Sequence, residues 1–180
     1  VRATAIILDE GGNAFDAALA EMTAACVAEP VFSPLGGGGF MLARPVDGKA
    51  ALYDFFVQTP QKYSTAENRE FYPVLCDFGT AQQEFHIGKA SIATPCTVKG
   101  MFAINRDLGR MPMQKIIEPA LALARNGIKV NKLQAYIFSV VGGIYFVHCR
   151  QPRHFRIEGG FHASTRRGRD DFQPSLRRYP

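Results

Sequence analysis

The stretch Gly11-Gly12-Asn13-Ala14-Phe15-Asp16-Ala17-Ala18, followed by Glu29-Pro30 and then Pro34-Leu35-Gly36-Gly37-Gly38-Gly39-Phe40, constrains the chain more than any other feature. It predicts a turn, a capped helix, a sharp stop, a glycine loop and a strand. Asn13 is placed to accept an N–H from the first helical turn. Asp16, three residues on, puts a carboxylate where free N–H groups and the helix dipole favour it. Phe15, Ala18, Leu19, Met22, Ala25 and Cys26 recur at helical spacing and predict one apolar face. Pro30 ends the helix, because it lacks an N–H and disfavours helical geometry at Glu29. The glycines 36–39 then allow backbone approaches that side chains would forbid.

The same residues resemble the start of the large subunit of the γ-glutamyltranspeptidases. That family writes the region as a G-G-N-A-x-D-A-A helix, an E-P stop and a G-x-G-G-G-F loop, and all three occur here in that order. The resemblance implies an N-terminal-nucleophile hydrolase fold, a layered α-β-β-α sandwich, of which this chain is a fragment. It also implies that the working nucleophile, a threonine freed by self-cleavage, is not among these 180 residues. The chain is then expected to be inactive alone, its partner being a Thr-led second subunit of the same precursor.

Composition narrows the alternatives. A chain of 180 residues with 47% hydrophobic content can bury a core of its own. No run of 18 apolar residues predicts a membrane helix. No signal-peptide leader is visible, and the missing initiator Met leaves a trimmed N-terminus open; a cytoplasmic location is slightly favoured. The net charge of +5 is confined to one end. Residues 1–149 balance 13 basic against 13 acidic side chains, whereas residues 150–180 hold eight arginines against Glu158, Asp170 and Asp171. That step predicts a boundary at 149/150 and argues against a nucleic-acid-binding body. Cys26, Cys76, Cys96 and Cys149 show neither a disulfide framework nor zinc spacing, and His86 stands far from the other histidines, so no metal or cofactor is expected.

Along the chain, residues 2–8 predict the end of a first helix, stopped at Gly11-Gly12. Residues 40–44 and 50–55, about the turn Pro45-Val46-Asp47-Gly48-Lys49, predict a β-hairpin within a larger sheet. Gln58-Thr59-Pro60 is expected to leave that sheet. Residues 61–88, with Pro73, Gly79 and Gly88, read as a long irregular excursion, and 91–93 as a short strand. Residues 97–107 predict a helix with Val98, Met101, Phe102 and Ile104 inward, locally weakened by Gly100. A helix from Pro112 to about Asn126 should kink at Pro119 and end at Gly127, and another should run over 132–141. Helices covering a mostly antiparallel sheet give an α/β layered arrangement.

Three patches carry the chemistry. The glycines 36–39 invite a phosphate-cradle reading, but a phosphate loop needs a strand before it and a helix after it, and here the order is reversed. Support near the pocket, by close packing of the strand, is the expected role of Gly36, Gly37, Gly38 and Gly39, as of Asn13, Asp16 and Asp54. Leu52-Tyr53-Asp54-Phe55-Phe56-Val57-Gln58-Thr59-Pro60 is similar to the family's D-F/Y-R-E-x-A-P strand, whose Arg grips the substrate α-carboxylate with a bidentate fork. Aligning Asp54 and Pro60 puts Phe56 at the Arg position. Phe56 and Gln58 are therefore the candidate substrate-binding residues, for an apolar or aromatic acyl group of a small peptide or amide, as in the acylase-like members; alternatively Phe55 and Phe56 simply straddle the sheet. In Thr94-Pro95-Cys96-Thr97-Val98-Lys99-Gly100, Cys96 stands where the family has Gly, so a positive φ there would strain it, and a reactive thiol is the weaker reading. The resemblance extends through Gly109 and Gly127 and covers about residues 3–142.

Glu67, Glu70 and Glu84 offer no paired-acid arrangement and read as a solvated face. The arginine-rich end has two readings: a basic nucleic-acid-binding arm on a non-catalytic interaction module, or a slipped reading frame. The slipped frame is favoured, because shifting one base at 154–162 permits a string resembling the family's continuation.

Overall fold

The computed structural model describes residues 2–62, 65 and 69–146. The arginine-rich end, with Cys149, His148, His154 and His162, and Glu67 lie outside the described residues. The elements are helix α1 (Arg2–Asp9), α2 (Ala14–Ala28), strands β1 (Phe40–Ala43), β2 (Ala51–Asp54), β3 (Tyr72–Asp77) and β4 (Gln82–Ile87), and a short 3-10 turn (Lys89–Ser91). Helices α3 (Thr97–Leu108), α4 (Met113–Ile116), α5 (Glu118–Asn126), α6 (Lys132–Val140) and α7 (Gly142–Phe146) complete the order. They form an α/β chain with small antiparallel sheets. Among the described residues two compact units result, one from those up to Glu70 with Gly88–Asn131, the other from Phe71–Ile87 with residues 132–146.

The first unit is built on α2. Its Asn13–Asp16 capping box forms as the sequence predicts, and the helix stops at Glu29, before Pro30. Around it pack α1, α3, α4 and α5. The buried side chains on α2 are Asp16, Ala17, Leu19, Ala20, Thr23 and Ala24, so the deepest face is rotated from the predicted one and only Leu19 is common to both. The reason is size: three alanines let neighbouring backbones come close, while Phe15, Met22 and Cys26 fill the partly covered flanks. Ile7, Leu19, Ile104 and Ile116 are completely buried at the centre.

β1 and β2 pair antiparallel, from Phe40↔Asp54 to Ala43↔Ala51, as the predicted hairpin, but among the described residues they form a two-stranded sheet and not part of a larger one. Gln58 has left the β1–β2 sheet, as expected, and makes an isolated antiparallel bridge to Thr94, with paired backbone hydrogen bonds of 3.1 and 2.8 Å. The stretch 91–93 is no strand; a 3-10 turn takes Lys89–Ser91, and pairing waits until Thr94. In α3 the inward row is Thr97, Gly100, Met101 and Ile104. Val98 and Phe102, expected inside, are 46% and 56% exposed. The row is chosen by Phe55, whose ring lies on Gly100 so closely that a Cβ there would overlap it. Gly100→Ala is therefore expected to lower the urea midpoint, although alanine gains about 1 kcal/mol of helix propensity, because overpacking costs about 1–3 kcal/mol. A raised midpoint would remove Phe55 from this position.

Pro119 does more than kink a helix. The helical path breaks at Ile117, between α4 and α5, and Pro119 sits in the first turn of α5, where its missing N–H is harmless. Gly127 ends α5 at φ +76°, as predicted.

The second unit corrects the irregular reading of 61–88 over residues 72–87. β3 and β4 form an antiparallel hairpin from Tyr72↔Ile87 to Asp77↔Gln82. Both strands are sheet edges, so Pro73, which cannot donate, is tolerated. The turn is closed by Phe78 N–H donating to Ala81 O, and by Gly79 N–H donating to the Asp77 carboxylate at 2.8 Å. Tyr136 of α6 donates its hydroxyl to Phe78 O at 2.9 Å, and α7 packs on β3.

Candidate functional site

Asn13 and Asp16 are held together, and their hydrogen bonds run to the turn after α3. Asn13 Oδ1 accepts from the N–H groups of Phe15 and Asp16 at 2.9 Å, and its Nδ2 donates to Leu108 O at 2.8 Å. The fully buried Asp16 carboxylate accepts from Asn13 N–H at 2.9 Å, Arg110 N–H at 3.1 Å and Met111 N–H at 3.4 Å. Every one of these donors is a backbone N–H. The pair is therefore a clasp between α2 and the 108–111 turn, with its oxygens engaged, and this geometry leaves it no acid–base task.

The glycine loop engages the opposite end of α3. Gly37 O accepts the N–H groups of Cys96 and Thr97 at 3.1 and 3.2 Å, so a backbone carbonyl takes the place of a capping side chain. That occupies the helix N-terminus a phosphate would require. Gly39 and Phe55 exchange backbone bonds of 3.2 and 3.0 Å, which lengthens the hairpin by one pair. Gly38 lies flat against the chain at 55–57: a Cβ there would be 2.5 Å from Val57 N and 2.7 Å from Phe55 O. Gly36 meets nothing.

This clamp fixes the segment leaving β2. Phe55 is 6% exposed and turns toward α3, whereas Phe56 turns away and is 49% exposed. Phe56 N–H donates to Asp54 Oδ1 at 3.0 Å, and Gln58 Nε2 donates to Phe56 O at 3.3 Å. The Phe56 ring stacks on Phe40, with centroids 5.5 Å apart and planes 11° from parallel. Thus Asp54, Phe56 and Gln58 converge with the glycine loop, and Asn13 and Asp16 make their bonds elsewhere. Sequence reasoning missed Phe40 as a partner of Phe56. Counting pairs outward from the turn at 45–49 would have placed Phe40 opposite Asp54.

The thiols give no support to an activated nucleophile. Burial pushes the Cys26 and Cys76 thiols up, away from the thiolate form. Cys96 sits before α3 at φ −123°, an ordinary conformation, so its replacement of the expected glycine causes no strain. Its Sγ lies 3.8 Å from Thr94 O. His86 stacks on Phe71 and pairs with Glu84, and Glu70 pairs with Lys89 at 2.7 Å. Among the described residues no cluster of His, Cys, Asp or Glu could hold a metal ion.

The family model described as gamma-glutamyltranspeptidase matches residues 2–143. The chain belongs to this family. A γ-glutamyltranspeptidase relative named glutathione hydrolase proenzyme, from Escherichia coli K12, is 39% identical over 126 residues, covering 69% of this chain and 21% of the relative. The acylase ACY 1 proenzyme of Pseudomonas sp. strain SE83 is 35% identical over 134 residues, covering 72% of this chain and 23% of the relative. The chain thus spans about a fifth of the length of these curated relatives. The crystal structure of Helicobacter pylori gamma-glutamyltranspeptidase superposes with a TM-score of 0.64 at 28% identity, covering 81% of this chain and 40% of that one. The α/β fragment is therefore of the γ-glutamyltranspeptidase fold, as the sequence motifs imply. No described helix is long and apolar enough to cross a membrane.

Proposed function

We propose that this chain is the N-terminal part of the large subunit of a γ-glutamyltranspeptidase-like N-terminal-nucleophile hydrolase acting on an acyl amide. Its own contribution is scaffold and one pocket wall, at Phe56 and Gln58. The reaction needs a threonine at the head of a second segment, whose hydroxyl attacks the amide carbonyl while its α-amino group takes the proton and passes it to the departing amine as the C–N bond breaks. The acyl-enzyme then passes to water or to an amine. In this reading residues 1–149 are the family body and 150–180 a separate tail. The observation that carries it is the family-model match over 2–143 together with relatives named as proenzymes, of which the chain covers only 21–23%.

The relatives' names divide between glutathione hydrolase and acylase, and the aromatic Phe56, in place of a cation, favours acylase-type use of the wall. Two measurements test the proposal. The purified chain is expected to hydrolyse neither a γ-glutamyl nor a phenylacetyl anilide above the buffer rate. The coding DNA beyond Pro180, read in all three frames, is expected to contain a Thr-led segment continuing the family. Turnover by the isolated chain, or DNA with no such segment, would discard the proposal.

A further inference from the structure

We propose that the Asn126-Gly127 pair at the end of α5 is a site of spontaneous covalent modification. There the folded 180-residue chain loses ammonia through a cyclic imide and converts Asn126 into aspartyl and isoaspartyl residues.

Five asparagines occur in the sequence, and only Asn126 is followed by glycine. The chemistry favours that neighbour. The attacking atom is the backbone nitrogen of the next residue, and glycine sets no Cβ beside it and turns freely. Attack also needs the peptide after asparagine to rotate out of helical geometry. A hydrogen bond that holds this N–H therefore protects an asparagine, and its absence exposes one.

The end of α5 lacks that protection. Gly127 N–H finds no acceptor among the described residues. The residues closing α2 and α3 are held: Glu29 N–H donates to Ala25 O at 2.7 Å, and Gly109 N–H to Asn105 O at 2.8 Å. Gly127 already stands at φ +76°, where the chain turns out of the helix. Ala124, Arg125, Asn126 and Gly127 are all exposed, and the buried residue of α5 is Ala120, in its first turn. A last turn with so little packing frays first. No hydrogen bond engages the Asn126 side chain among the described residues, so its Cγ is open to attack.

Comparable positions are blocked. Asn13 spends Oδ1 on the N–H groups of Phe15 and Asp16 and Nδ2 on Leu108 O. Asn105 lies within α3 and donates to Met111 O at 2.9 Å. In Asp47-Gly48, the aspartyl counterpart, Gly48 N–H is held by Pro45 O at 3.3 Å.

In the step itself, Gly127 N gives its proton to hydroxide and bonds to Asn126 Cγ. The Cγ–Nδ2 bond breaks, and Nδ2 takes a proton from water and departs as ammonia. Water then opens the imide at either carbonyl. The net change is a water consumed and an ammonia released, with no oxidation or reduction. Either product places an anion at the C-terminal end of α5, where the helix dipole disfavours it.

The test incubates the chain in mildly alkaline buffer, folded or in urea, then digests it with pepsin in acid and weighs the peptides. In the folded chain the peptide holding Asn126 is expected to gain the mass of NH2 replaced by OH, while those holding Asn13 and Asn105 stay unchanged. Urea should leave the rate at Asn126 close to its folded value. Asn126→Gln, an exposed and conservative change, should abolish the gain and keep the melting temperature. A rate at Asn126 that rises about tenfold in urea, the scale of one hydrogen bond that must first open, overturns the inference. So does an equal gain at Asn13, a gain that survives in Asn126→Gln, or no gain in the folded chain.

Discussion

Replacing Asp16 by alanine is expected to remove a large share of the stability of the first unit. The carboxylate is fully buried and takes three backbone N–H groups, of Asn13, Arg110 and Met111. Deleting it strands those donors, and each buried unpaired N–H costs about 1–3 kcal/mol. The Asn13 bond among them is Asp16's half of the capping box, whereas Asn13 Oδ1 keeps its own acceptor bonds from the first turn. A total of roughly 4 kcal/mol is large against the 5–15 kcal/mol that typically holds a domain. Urea unfolding followed by circular dichroism should show the midpoint fall steeply. Asp16→Asn should fall by about half as much, because one oxygen survives as an acceptor while the other becomes an NH2 group facing backbone donors. A loss below about 1 kcal/mol for alanine would mean that the clasp to the 108–111 turn does not exist in solution.

Gly38→Val should be the other severe substitution. The Cβ would be 2.5 Å from Val57 N, 2.7 Å from Phe55 O and 2.8 Å from the Phe56 carbonyl carbon. All three are backbone atoms, so no rotamer change relieves the overlap. The loop must lift from the 55–57 segment, and the Gly39–Phe55 pair and the carbonyl cap on α3 are the bonds it strains. The expected loss is about 3 kcal/mol, read as a lowered melting temperature, with amide shifts concentrated at Phe55, Phe56 and Val57. Gly36→Ala is the control: nothing lies within 4 Å of its added Cβ, and it should leave stability within about 0.5 kcal/mol. Equal effects at the two positions would end the close-approach account of the glycine run.

These two substitutions also divide what was legible from what was not. Asn13 and Asp16 could be recognised as a capping box because a helix start is a local event, settled within four residues. That the same carboxylate reaches Arg110 and Met111 could not, since those donors lie more than 90 residues away in sequence. Gly38 was legible as a place of close approach, but which backbone approaches it was not. The hairpin at 40–54 was readable from alternation about a clear turn. The hairpin at 72–87 was not, because Pro73 and the polar run Gln82-Gln83-Glu84 hide strands that are edges on both sides.

Val98 and Phe102 show the same limit on a helix. Their spacing suits an apolar stripe, yet α3 turns Gly100 inward because Phe55 needs the room. The sequence by itself determined the family, the start and stop of α2, the glycine loop with its following strand, and an aromatic residue at 56 in place of a cation. Each of these depends on neighbours a few residues apart or on the wording of a motif. Only the tertiary structure decided that Asp16 serves a distant turn, that Gly37 caps α3, and that Phe56 lies against Phe40. Those depend on which surfaces meet, and burial rewards whichever fit is closest rather than whichever residues are near in sequence.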